Sequence, residues 1–140
     1  MSNTGQSTPA APARLDTAQT LLFVPAARPD RFDKARASGA HAIIIDLEDA
    51  VAPEDKASAR DAVGAWLTAG DWRDTADRTA VVVRINAADT DWFHPDVEAL
   101  ADAAARLSAD SDGRTGHYAS CPFGIMIPKC ESEEPVHEIR

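Results

Sequence analysis

The chain has 140 residues and a formal net charge of −9, with 14 Lys and Arg residues against 23 Asp and Glu residues. The basic residues are scattered along the sequence, which argues against a nucleic-acid partner, because such partners require clustered Lys and Arg. No apolar run approaches the ~18 residues of a membrane span, so we expect no membrane partner either.

Residues 1–18 are rich in Ser, Thr, Ala and Pro, and this composition predicts a disordered tail ahead of one domain over 19–140. The first residues lack the basic start and apolar block of a secretory signal. Cys121 and Cys130 have neither metal-type nor redox-type spacing. We therefore expect reduced thiols in a cytoplasmic protein, with a disulfide between them as the less favoured alternative.

The first half of the domain alternates between apolar runs and helical patterns. The run 21–24 is followed by a predicted helix over 30–38. The run 42–47 is β-branched and does not alternate, which is typical of a strand buried on both faces. A predicted helix over 53–68 follows, and Gly70 is its stop signal.

The second half continues the alternation. The run 81–85 precedes a helix that begins near Pro95, and the polar stretch 108–120 predicts a loop. The last run, 125–128, predicts a strand, and Ser132 is a candidate N-cap for a final helix. The helix after Pro95 carries an apolar stripe at helical spacing, formed by Val97, Leu100, Ala101, Ala104 and Leu107. The pattern predicts an α/β fold of about four strand–helix units, with parallel strands and helices on one face of the sheet.

Charged or amide side chains follow every one of the four apolar runs. Ligands of parallel α/β folds bind at the carboxyl ends of the strands, so these side chains are candidates for a shared site. They are Arg28 after the first run, Glu48 and Asp49 after the second, Arg84 and Asn86 at the third, and Lys129 after the fourth.

Arg84 interrupts an apolar run, and a charge in a buried strand requires a partner. That partner is either an acidic side chain such as Asp46 or the carboxylate of a ligand. Asp46, Glu48 and Asp49 are close in sequence, and their mutual repulsion needs compensation by cations or protons. This favours a functional role for the acidic group.

Each remaining candidate has a structural alternative. Arg28 could be a solvated residue or could hydrogen-bond the start of the next helix. Glu48 and Asp49 could be ordinary polar residues at a strand end. Asn86 could make a turn, and Lys129 could be a surface residue.

The residues at these strand ends resemble the citrate lyase beta-subunit family, which includes malyl-CoA lyases and related HpcH/HpaI aldolases. The similarity lies in the segments 22–25, 28–32 and 38–40, in DLEDAV at 46–51, in RIN at 84–86 and in PKCES at 128–132. It extends over about residues 20 to 138. It implies a TIM-barrel fold, of which this chain is a truncated half-barrel.

The resemblance implies a magnesium-dependent carbon–carbon lyase. Its substrate is a 3-hydroxyacyl-CoA of the citryl-CoA or malyl-CoA type, cleaved to an acyl-CoA and a keto acid. By the same resemblance, Arg84 holds the keto-acid carboxylate, while Glu48 and Asp49 shape the surroundings of the metal and water. Arg28 lies near the CoA entrance, Lys129 has an electrostatic or structural role, and the full-length form is a homo-oligomer.

Two departures from the family pattern bear on this expectation. Ala26 and Ala27 lie in the first loop, where many relatives have a glycine. We therefore expect the backbone of this loop to approach a phosphate group less closely. The family's direct magnesium ligands come from the fifth and sixth strands, which by resemblance lie beyond Arg140. We therefore expect no metal ligands in this chain and no activity from the chain alone. The alternative is a non-catalytic half-barrel that oligomerises or binds CoA.

Overall fold

The computed structural model of the chain describes residues 15–73, 79–109 and 122–139. Four strands form one sheet in the order β1-β2-β3-β4. They are β1 (Leu21–Pro25), β2 (Ala42–Asp46), β3 (Ala80–Arg84) and β4 (Gly124–Met126). Every neighbouring pair is parallel, so the predicted parallel α/β fold of TIM-barrel type is confirmed.

Four helices follow the strands in alternation: α1 (Phe32–Arg36), α2 (Lys56–Ala69), α3 (Phe93–Ala109) and α4 (Glu134–Glu138). The first two begin through 3-10 turns, Pro29–Arg31 and Pro53–Asp55. Proline suits such starts because an N–H group in the first turn of a helix has no hydrogen-bond partner within the helix, so the N–H group that proline lacks is not needed there. Among the described residues, no helix has both the length and the apolar character needed to cross a membrane.

The helices pack on one face of the sheet, as predicted. Alternate strand residues such as Ile43, Ile45 and Val83 join helical residues such as Val63 and Leu100 in one apolar core. Alternation along a strand then places Ile44, Asp46, Val82 and Arg84 on the opposite face. The sheet therefore presents two different surfaces, an apolar one under the helices and one that ends in charged groups.

The opposite face is approached by a short 3-10 turn, Leu15–Thr17, that precedes β1. Gly124 of β4 faces this turn: a Cβ atom at Gly124 would lie 3.3 Å from Cδ1 of Leu15 and 3.5 Å from Cγ2 of Val82. This turn belongs to the segment predicted as a tail, whose residues 1–14 lie outside the described part of the chain.

Several helix boundaries differ from the prediction. The helix predicted over 30–38 is a 3-10 turn followed by α1, which ends at Arg36. Ser132 was wrongly predicted as an N-cap, because Glu133 occupies that position and makes no capping hydrogen bond through its side chain. The loop predicted over 108–120 was placed too early, because α3 extends to Ala109. The remainder of that loop lies outside the described residues.

Candidate functional site

Arg84 ends β3 on the face of the sheet that points away from the helices. Its register partner in β2 is Asp46. Nε of Arg84 donates to Oδ1 of Asp46 at 2.8 Å, and Nη2 donates to Oδ2 at 2.7 Å. The partner that the sequence analysis left open is therefore Asp46, and the hydrogen bonds raise the pKa of Arg84 further above its ordinary value.

Asp46 also organises the turn that follows β2. Its Oδ1 accepts the Glu48 backbone N–H at 2.9 Å, and its Oδ2 accepts the Ala50 N–H at 3.2 Å. Burial raises the pKa of this carboxyl, but the hydrogen bonds from Arg84 and from the two amides outweigh burial and hold the pKa below its usual value. Asp46 is therefore ionised and joins the end of β3 to the turn after β2.

Glu48 and Lys129 extend this arrangement across the sheet. Nη1 of Arg84 lies 3.3 Å from Oε2 of Glu48, whose side chain is nearly buried. Nζ of Lys129, on a side chain that is 68% exposed, lies 2.8 Å from Oε1 of the same carboxylate. This contact raises the pKa of Lys129. Glu48 thus lies between two cations that follow β3 and β4.

Asp49 lies at the outer side of the group, with Oδ2 at 3.8 Å from Nη2 of Arg84 and a 70% exposed side chain. We call Asp46, Glu48, Asp49, Arg84 and Lys129 the rim cluster. The structure brings these five side chains, from three consecutive strand ends, into one connected group. The ring of Phe23 in β1 lies under it, with its centroid 5.1 Å from Cζ of Arg84.

Asn86 lies apart from the rim cluster. Its backbone N–H and side-chain amide both donate to Oδ2 of Asp96, at 2.9 and 2.7 Å. Asp96 is fully buried, and its Oδ1 accepts from Nε of Arg60 at 2.7 Å. The structure therefore places Asn86 in a buried network between β3, α2 and α3.

Arg28 is also separate from the rim cluster. It makes a two-bond ion pair with Asp30, at 3.0 and 2.9 Å, and both side chains are exposed. This pairing raises the pKa of Arg28 and lowers that of Asp30, chiefly through the hydrogen bonds between them. Arg28 lines a groove of about 420 Å³ beside β1, together with Arg31 and Lys34. This groove lies next to the strand ends and is lined by apolar residues of β1, by these three basic side chains and by Asp30.

Lys56 is a further residue of this site, which its sequence context did not indicate. It is the first residue of α2, yet it is only 5% exposed. Its Nζ donates to the carbonyl oxygens of Leu47 and Glu48, at 2.6 and 2.5 Å. A lysine at a helix start reads as a surface residue, so only its position directly after the acidic segment could have singled it out.

Among residues 15–73, 79–109 and 122–139, no group of three or more His, Cys, Asp or Glu side chains is arranged to hold a metal ion. Within the rim cluster, Asp46 and Glu48 already have cationic partners, which leaves Asp49 as the one carboxylate directed mainly to solvent. Magnesium requires several oxygen ligands in near-octahedral geometry.

Two curated relatives from Cereibacter sphaeroides are similar in sequence. An L-malyl-CoA/beta-methylmalyl-CoA lyase is 44% identical over 132 residues, which cover 94% of this chain and 35% of the lyase. A (3S)-malyl-CoA thioesterase is 38% identical over 121 residues, which cover 86% of this chain and 35% of the thioesterase. This chain therefore spans about a third of the length of these relatives.

A solved structure and a family model agree with this likeness. CitE of Mycobacterium tuberculosis, crystallised with magnesium, acetoacetate and coenzyme A, has a TM-score of 0.59 at 37% identity, covering 89% of this chain and 38% of CitE. The model described as HpcH/HpaI aldolase/citrate lyase matches residues 19–108. That match extends from just before β1 into α3, and it includes four of the five rim-cluster residues. The chain belongs to the HpcH/HpaI aldolase/citrate lyase family.

Proposed function

We propose that this chain forms the keto-acid-binding rim of a carbon–carbon lyase that acts on a 3-hydroxyacyl-CoA of the citryl-CoA or malyl-CoA type. The observation that carries this proposal is the position of Arg84 and Lys129. Both are cations at strand ends, and both contact the same carboxylate, Glu48. A keto-acid carboxylate can pair with these cations in place of Glu48, or beside it.

The chemistry of the reaction requires such a site. In retro-aldol cleavage of a 3-hydroxyacyl thioester, the 3-hydroxyl group gives up its proton to a base and the bond between C2 and C3 breaks, which produces an acyl-CoA enolate and a keto acid. A fixed guanidinium can hold the carboxylate of the keto acid and orient the bond that breaks. Asp46 supports this role, because it fixes Nε and Nη2 of Arg84 and leaves Nη1 directed toward Glu48. Glu48 and Asp49 set the charge around the reacting groups, and we propose that their role is electrostatic.

We further propose that the groove beside β1 lies on the path of the CoA moiety. Arg28, Arg31 and Lys34 line it, and phosphate groups pair with such cations. In this arrangement Arg28 binds CoA and Lys129 binds the keto acid. Asn86 acts on the substrate indirectly, by fixing the turn after β3.

Magnesium supports catalysis in this proposal, as suggested by its presence with acetoacetate and coenzyme A in the CitE structure. A bound metal would polarise the keto-acid carbonyl. The residues described here do not supply a ligand set, so the ligands would have to come from polypeptide outside the described residues. The contribution of this chain is then the carboxylate-binding rim.

A second reaction is suggested by the thioesterase among the relatives. That enzyme and the malyl-CoA lyase share malyl-CoA in their names but differ in the bond that breaks. Thioester hydrolysis releases free CoA, whereas carbon–carbon cleavage releases a keto acid and leaves the thioester intact. The thiol of free CoA distinguishes the two reactions in any assay of a longer relative.

The rim can be tested by NMR titration of the isotopically labelled chain with pyruvate. We expect pyruvate to shift the backbone amide resonances at 46–49, 84–86 and 128–131. Arg84→Lys replaces a two-pronged donor by a point charge, and we expect it to weaken pyruvate binding by about tenfold. CoA binding should change much less.

The matched control is Arg106→Gln, which removes an exposed cation from α3 and should leave pyruvate binding unchanged. Pyruvate shifts that map to other residues would contradict the proposal. So would equal pyruvate affinity in the wild-type chain and in Arg84→Lys.

A further inference from the structure

The ammonium group of Lys56 is buried beneath the rim cluster. Helical side chains tilt toward the helix N-terminus, so the first residue of α2 can reach back over the preceding turn to the end of β2. Its Nζ donates there to the carbonyl oxygens of Leu47 and Glu48. The ring of Trp92, from the turn before α3, has its centroid 5.2 Å from the same nitrogen.

This ammonium group lies in a strongly acidic environment. Burial lowers the pKa of Lys56. The neighbouring carboxylates raise this pKa but are outweighed by burial; they are those of Asp96, Asp46, Glu48 and Asp49. The two carbonyls that Lys56 contacts follow the last residue of β2, where the regular strand pairing has ended. Lys56 therefore replaces the missing strand partner and balances part of the acidic charge.

Lys56 and Asp46 together fix the main chain of Glu48. The backbone N–H of Glu48 donates to Oδ1 of Asp46 at 2.9 Å, and its carbonyl oxygen accepts from Lys56. Both polar groups of that residue's backbone are therefore held by buried side chains. The direction of the Glu48 side chain follows from this, and its carboxylate points between Arg84 and Lys129.

We propose that Lys56 is a positioning residue of the rim cluster, which holds the backbone of Glu48 so that its carboxylate meets Arg84 and Lys129. The ligand-binding role of the cluster rests on the proposed function above, but the positioning itself does not. The site then includes a residue of α2, which the turn after β2 separates from the strand ends.

The test uses the ammonium resonances of the full chain labelled with 15N-lysine. The sequence has three lysines, Lys34, Lys56 and Lys129, so their signals can be assigned by substitution. The pKa of Lys129 is raised by Glu48. We expect Lys56→Met to lower the pKa of Lys129 to the value measured in Glu48→Gln.

The sign of this shift is diagnostic. Removing a neighbouring positive charge would by itself raise the pKa of Lys129. A fall therefore requires loss of the carboxylate contacts that raise this pKa, of which the contact with Glu48 is the largest and those with Asp49 and Asp89 are smaller. Lys56→Arg, which keeps the charge and the donors, should restore the wild-type pKa of Lys129.

Val63→Ala is the matched control, because Val63 is a buried core residue of the same helix. It should destabilise the fold without changing the pKa of Lys129. An unchanged or raised pKa of Lys129 in Lys56→Met would overturn the proposal.

A second measurement needs no variant. Reductive methylation of the wild-type chain should leave Lys56 unmodified when Lys34 and Lys129 are fully labelled. Modification of Lys56 at the rate of the other two would contradict the buried contacts on which the proposal depends. Neither measurement involves a ligand, so failure of pyruvate binding would count against the proposed function alone.

Discussion

Asp46 uses both carboxylate oxygens twice, for Arg84 and for the backbone of the turn after β2. A strand-end aspartate is commonly a solvated residue, but this one is only 2% exposed. Its charge compensates that of Arg84, and its two oxygens engage two of the three guanidinium nitrogens, Nε and Nη2, that a ligand could otherwise approach. In the proposed function, the selectivity of the rim therefore depends on which atoms of Arg84 are already engaged.

The lowered pKa of Asp46 makes its contribution to stability depend on pH. A carboxyl with a folded-state pKa below its unfolded value stabilises the fold above about pH 4, and the contribution is lost as pH falls through the folded-state pKa. At neutral pH, Asp46→Asn should lower the free energy of unfolding by about 3 kcal/mol, because Arg84 loses the closest of its carboxylate partners.

The difference between wild type and Asp46→Asn should shrink on acidification, since the wild-type carboxyl becomes neutral as well. Urea unfolding at neutral and acidic pH measures it, with the exposed Asp102→Asn in α3 as the control. A difference that is constant with pH would show that Asp46 does not act through its charge.

At the scale of elements, the sequence predicted the four strands to within about a residue at most ends. Uninterrupted β-branched runs such as Ile43–Ile45 have few alternatives to a buried parallel strand. The helix starts were less accurate, because proline marks a start but does not distinguish a 3-10 turn from an α-helix.

The site was predictable where charge interrupts an apolar pattern, as at Arg84 and Asp46. Asn86 and Lys56 were harder to interpret, because their contacts join residues eight to ten positions apart across turns. Asn86 meets Asp96 ten residues later, and Lys56 reaches carbonyls across a turn. Residue type and local spacing carry no signal for such contacts, and the roles assigned to Arg84, Glu48, Asp49, Arg28 and Lys129 stay proposals.

Two glycines of α2 should respond in opposite directions to alanine. Gly70 ends the helix at φ 75°, a left-handed conformation, so Gly70→Ala should lower the free energy of unfolding by about 1 kcal/mol. Gly64 lies within the helix, and a Cβ there would meet no atom within 4 Å. Gly64→Ala should therefore raise the free energy of unfolding by about 0.5–1 kcal/mol.

Urea denaturation of the two variants, measured side by side, checks this pair of effects. Each variant is the control for the other, since both add one methyl group to the same helix. Changes of the same sign would contradict the assigned backbone conformations.

At the scale of the whole molecule, the described part of the sheet has β1 and β4 as its edges. Leu21 and Phe23 of β1 are each about half exposed, at 53% and 49%. On the other side, an apolar cavity of about 350 Å³ lies between α3, β4 and Ile139. Apolar surface beside open strand edges favours association.

We therefore expect the isolated chain to self-associate with rising concentration, as measured by size-exclusion chromatography with light scattering. Leu21→Lys should reduce this association, because a charge on an edge strand opposes edge-to-edge pairing. Ala57→Lys is the control, since it adds the same charge at an exposed position of α2, a helix that lines neither of these surfaces. A monomer at every concentration, or equal effects of the two variants, would contradict this expectation.

The central proposal is that this chain carries the carboxylate-binding rim of an acyl-CoA lyase, while the residues that the structure describes contribute no cluster of metal ligands. The most direct measurement mixes the purified 140-residue chain with magnesium and either citryl-CoA or malyl-CoA, and follows release of the keto acid. We expect no release above background, because metal polarisation of the carbonyl, worth several kcal/mol of transition-state stabilisation, is missing. Clear turnover that disappears in Arg84→Ala would contradict the claim, because the rim would then be part of a complete active site.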